Sequence, residues 1–122
     1  MDLETALRGM EDSKRRLESR EGITSLPILS EQMDRLATYT SAVEEHLAHL
    51  EMQLEEAEAE QYKKAIKDGK SPSAAETVAR QEVASIKGQI KMLTRKTSSA
   101  WRLVGVKQSR WNHLQAEARG QV

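Results

Sequence analysis

Phenylalanine is absent from the chain, and two tryptophans and two tyrosines are its only aromatics. A compact core in a chain of this length ordinarily buries several aromatic anchors. The apolar content is instead mostly Leu, Ala, Val, Ile and Met, which suits a narrow seam between long helices. Such a seam leaves much of each helix wet, so oligomerisation is expected. Cysteine is also absent, which excludes disulfides and thiolate metal sites. No run approaches the ~20 apolar residues that a membrane span requires. The opening MDLETALRGMEDSKRR is charged throughout and lacks the apolar centre of a secretory leader. The expected compartment is the cytoplasm.

The formal net charge is zero, but its distribution is uneven. Residues 1–62 hold six Lys/Arg against fifteen Asp/Glu, a net of −9. Residues 63–122 hold thirteen Lys/Arg against four Asp/Glu, a net of +9. Asymmetry of this kind points to internal charge pairing, head-to-tail association, or an acidic partner such as nucleic acid.

The length, 122 residues, supports one domain. The pattern predicts an all-α fold: a long antiparallel helical hairpin, coiled-coil-like, with a shorter N-terminal helix. Residues 2–20 read as that first helix, with Leu3, Ala6, Leu7, Met10 and Leu17 roughly on one face and Gly9 weakening it. Residues 21–29 read as an apolar linker, with Gly22 stopping the first helix and Pro27 disfavouring helix at Leu26. Ser30 is then the expected N-cap of a first long helix over 30–68. Its seam is Leu36, Thr40, Val43, Leu47, Leu50, Leu54 and Ala57. Asp68-Gly69 ends it.

Ser71 before Pro72, or Ser73 with Glu76, starts a second long helix over 72–118. Its seam runs through Val83, Ile86, Ile90, Leu93, Thr97 and Ala100 towards Trp111 and Leu114. The short link makes the two long helices antiparallel. Partner numbers then sum to roughly 140, pairing Leu47 with Leu93, Leu50 with Ile90 and Leu54 with Ile86, apolar against apolar.

Catalytic chemistry has little to stand on. There is no glycine-rich phosphate loop, no Gly-x-Ser-x-Gly and no Cys nucleophile. The carboxylates from Glu44 to Glu60 form a ladder on one helix, whereas an acid/base pair needs a pocket that separates its pKa values. His46 and His49 share a helix face, but no Cys or second His pair completes a four-ligand site, even with His113. No catalytic residue, metal or cofactor is expected.

The basic residues say more. Lys63, Lys64, Lys67 and Lys70 cluster at the hairpin tip with Tyr62 beside them, and Asp68 is the only acid among them. Lys87, Lys91 and Arg95 recur every four residues and so form one helical stripe. Two readings of the stripe stay open. Glu44, Glu45 and Glu51 fall roughly opposite Lys87 to Lys96 and suit internal salt bridges; the alternative is contact with a ligand. The tip faces Ser, Ala and Thr across the hairpin, which leaves its lysines for a phosphate backbone. With Tyr62 alone placed for stacking, nucleic-acid binding would be sequence-independent and salt-sensitive. Trp101, Trp111 and Leu114 lie on or beside the seam and are candidates for a subunit interface.

The segments EAEAEQYKKAIKDGKS, AAETVARQEVASIKGQIKMLTRK and SSAWRLVGVKQSRW, in that order, resemble the phage recombination mediators of the UvsY type over roughly residues 30–115. The resemblance implies a ring-shaped homo-oligomer that binds single-stranded DNA and the phage single-strand-binding protein and helps to load a RecA-like recombinase. It also implies DNA contact at Lys63 and Lys64. The acidic run Glu55 to Glu60 and the N-terminal helix depart from that family's pattern. The competing expectation is a protein-only adaptor, chaperone or inhibitor, for instance an anti-defence factor. A secreted WXG-type hairpin fits the length, but the turn DGKSPS carries no Trp-x-Gly.

Overall fold

A computed structural model describes residues 1–19 and 25–120. Four helices are present among them: α1 (Leu3–Glu18), α2 (Leu26–Lys67), α3 (Pro72–Glu82) and α4 (Ala84–Ala118). The all-α expectation holds. The chain divides into two compact units, one made of Met1–Glu44 with Arg95–Val122 and the other of Glu45–Thr94.

The first unit is a three-helix bundle of α1, the start of α2 and most of α4. Asp2 caps α1, its Oδ1 accepting from the Thr5 N–H at 2.7 Å. Glu4 in the first turn and Arg15 and Arg16 in the last complement the helix dipole. Ala6, Met10, Ser13 and Leu17, spaced four, three and four, are the buried stripe. Lys96 Nζ donates to Glu11 Oε1 at 2.7 Å, and Lys14 Nζ to Ser99 Oγ at 2.9 Å. Both pairs are 85 residues apart, so numbering advances together and α1 runs parallel to α4.

Between α2 and α4 the numbering runs in opposite directions. Trp101 Nε1 donates to Glu44 Oε1 at 2.7 Å, and Trp111 shares a groove with Ser30 and Met33. Leu29, Met33, Leu36, Thr40 and Val43 of α2 and Thr97 and Ala100 of α4 are buried. The buried Thr40 hydroxyl donates to the Leu36 carbonyl at 2.6 Å, which offsets its desolvation.

The helix α2 begins at Leu26, four residues before the expected Ser30. Proline lacks the donor that the first turn leaves idle, so Pro27 fits there. The Leu29 N–H closes the first turn on the Ser25 carbonyl at 2.9 Å. Of the expected linker, residues 26–29 are helical, and Leu29 is fully buried. Gly22 and Ile23, and the end of the expected 2–20 helix at Arg20, lie outside the described residues.

The second unit is a hairpin. The helix α2 stops at Lys67 with a Schellman ending: Lys70 N–H reaches the Ala65 carbonyl and Gly69 N–H the Ile66 carbonyl, both at 3.0 Å. Gly69 sits at φ +89°, a conformation that glycine adopts without a Cβ penalty. Ser71 then caps α3, its hydroxyl accepting from Ala74 N at 3.3 Å with Pro72 in the first turn.

The expected single helix over 72–118 is interrupted at Val83, whose φ of −101° and ψ of 6° leave the helical basin. The i to i−4 bonds continue across it, at 3.3 Å from Val83 to Ala79 and 3.1 Å from Lys87 to Val83. Val83 is buried together with Ala65, Ala75, Ala79 and Leu93. Leu47, Leu50, Leu54, Ile86 and Ile90, the expected apolar pairs, are half-buried.

Candidate functional site

The tip lysines stand on three local devices. The last two turns of α2 carry Lys63, Lys64 and Lys67. The Schellman ending turns the chain at Gly69. Lys70 follows, just before the extended Ser71 cap. All four side chains are exposed. None makes an ion pair among the described residues, where every salt bridge involves other cations.

The surroundings of the tip are more acidic than sequence spacing implied. An open cleft of about 430 Å³ is lined by Glu55, Glu58, Ala59, Tyr62, Lys63, Glu76 and Ala79. A smaller groove brings Lys64 and Lys70 near Asp68 and Glu82. The expectation of only Ser, Ala and Thr across the hairpin is corrected by Glu76, which projects from α3 one turn beyond the cap. These carboxylates stop short of ion-pair distance, and Glu76 engages Arg80 of its own helix at 3.9 Å. The sequence held the signal, because Tyr62 and Ala79 sum to 141, and one turn from either lies an acid.

The basic stripe is partly in each unit: Lys87 and Lys91 in the hairpin, Arg95 in the bundle. All three are exposed. The salt bridges considered for them with Glu44, Glu45 and Glu51 do not form among the described residues. At roughly 100° per residue Lys91 lies about 160° round the helix from the buried Leu93, so it points away from the seam. Glu44 accepts from the Trp101 indole instead, and Lys96 bonds Glu11 of α1.

Trp101 is 37% exposed and tethered by Glu44. Trp111 is half-buried in the groove with Ser30, Met33, Asp34, Ala37, Val104 and Gln108, and Leu114 is half-buried one turn on. Trp111 thus packs against the first turns of α2 in its own chain. The large apolar side chains left most open in the hairpin are Met52, at 59%, and Met92, at 47%. Periodicity gives no sign of them, because methionine at these positions breaks neither seam.

Glu11 is the one group whose acidity is clearly displaced among the described residues. The hydrogen bond from Lys96, reinforced by its charge, holds the carboxyl below its ordinary value. No group of three or more His, Asp or Glu among the described residues is arranged to hold a metal ion. Among the described residues no helix is long and apolar enough to cross a membrane. Comparison with protein-family models, curated proteins and solved structures finds no match to this chain.

Proposed function

We propose that this chain binds single-stranded DNA through its phosphates, and that it serves as a non-enzymatic, oligomeric recombination mediator with a RecA-like recombinase and a single-strand-binding protein as partners. One observation carries the DNA reading. Lys63, Lys64, Lys67 and Lys70 fall within eight residues, are exposed, and make no ion pair among the described residues. Ammonium groups in water with no carboxylate bound are free to replace the counterions of a polyanion. Tyr62 at the edge of the cluster offers one stacking surface. The mediator role rests on the sequence resemblance.

Fluorescence anisotropy with a labelled oligonucleotide tests the DNA reading. Four phosphate contacts predict a log–log salt slope of about −2.8, a loss of roughly 50-fold in affinity between about 50 and 200 mM salt. The pair Lys63→Glu and Lys64→Glu flattens that slope by about 1.4 or more. Absence of binding at about 50 mM salt by the folded protein removes the reading.

The exposed Met52 and Met92 favour a second reading, a protein-only adaptor, chaperone or inhibitor, since methionine-rich surfaces repack readily against partners. Full function in the Lys63→Glu, Lys64→Glu protein decides for it.

A further inference from the structure

The hairpin unit carries an acidic strip and a basic strip side by side, and neither is neutralised. Residues 45–60 of α2 contain Glu45, Glu51, Glu55, Glu56, Glu58 and Glu60 and no Lys or Arg. The α4 residues of the unit carry Lys87 and Lys91 and no acid. None of these eight groups makes a salt bridge among the described residues.

Their placement is ordered. Tyr62 and Ala79 line one cleft, and Ala65 and Val78 another, which fixes an antiparallel register in which numbers sum to about 141 to 143. Continued along the hairpin, that register sets Glu55 level with Lys87 and Glu51 level with Lys91. Both pairs have i, i+4 spacing. The strips also share a side. Glu55 and Glu76 line the same cleft, and Lys87 lies eleven residues, about three turns, beyond Glu76 on the same flank. In the bundle unit α1 adds a third helix and Leu36, Val43 and Ala100 are fully buried, whereas in the hairpin Leu47, Leu50, Leu54, Ile86 and Ile90 are only half-buried.

We infer that this face of the hairpin pairs with a second copy of the chain. A half-turn about an axis parallel to the helices lays α2 of one copy over α4 of the other. The acidic strip of each then meets the basic strip of its partner, Glu51 opposite Lys91 and Glu55 opposite Lys87 in both directions, as a closed twofold interface requires. The charges set the register. This inference is independent of nucleic-acid binding, and its test contains no DNA.

Sedimentation of the intact chain should give twice its 13.8 kDa mass. The variant Glu51→Lys, Glu55→Lys and the variant Lys87→Glu, Lys91→Glu each place like charges face to face, so each should raise the dimer dissociation constant at least about tenfold. An equimolar mixture of the two has every pair complementary again and should restore dimers that neither forms alone. A monomeric wild-type protein overturns the inference without any variant. Variants that keep full dimerisation overturn it too, as does a mixture of two helical variants that stays monomeric.

Discussion

A Cβ on Gly9 would clash with the ring carbons Cδ1, Cε1 and Cζ of Tyr39. The glycine that weakens α1 as an isolated helix is therefore what lets the Tyr39 ring of α2 lie directly against the α1 backbone. Gly9→Ala gains about 1 kcal/mol of helix propensity but must displace a ring packed in the bundle, at about 1–3 kcal/mol. The expected net is destabilisation of about 1 kcal/mol in urea unfolding. Adding Tyr39→Leu should recover it, with a coupling above about 0.5 kcal/mol. Equal stability of wild type and Gly9→Ala would show that the ring yields freely.

Gln32 is 8% exposed, and its Oε1 has no hydrogen-bond partner among the described residues. A buried acceptor left open costs about 1–3 kcal/mol. Gln32→Met, similar in volume and without that acceptor, should stabilise the protein by about 1 kcal/mol and raise its thermal midpoint. A lower midpoint would mean that Gln32 bonds in solution.

The Glu11–Lys96 pair gives stability a defined pH dependence. Glu11 is held below its ordinary value, so its contribution is complete above the unfolded value of about 4.3 and is lost as pH falls through the folded one. The side chains are 54% and 39% exposed, which limits the effect to about 0.5 kcal/mol. Lys96→Met should cost that much near neutral pH and nothing in acid, below the folded value. A cost that persists unchanged in acid would assign it to packing of the lysine stem.

The indole N–H of Trp101 reaches Glu44 across α2 and α4. In a Trp111→Phe background Trp101 is the sole tryptophan, and Glu44→Ala should shift its emission to the red and cost about 0.5–1 kcal/mol. An unchanged spectrum would place the indole elsewhere in solution.

Much of the architecture was legible. The seams on α2 and α4, the Ser71-Pro72 start and the Gly69 stop are local signals, each set by one or two side chains and their backbone. What escaped depends on context. Pro27 breaks a helix interior but fits a first turn, so α2 starts earlier than its proline implies. Val83 gives no sequence sign that it leaves the helical basin. Gly9 reads as a defect until its neighbour is known. For the candidate site, spacing found the tip lysines and the stripe, whereas the neighbouring acids depended on the cross-hairpin register. Glu44 bonding Trp101 in place of a lysine turned on side-chain direction, which charge counting does not resolve.

The bundle unit is assembled from two stretches of chain with the hairpin unit inserted between them. Its polar ties join residues 57 to 85 apart, whereas the hairpin closes through the four residues between Lys67 and Pro72. Loop-closure entropy therefore favours the hairpin as the earlier event in folding, and its closure shortens the loop that the bundle must still close. On a ribosome the first helix waits for the last, and a nascent chain stalled before residue 95 presents α1 without the stretch of α4 that receives it.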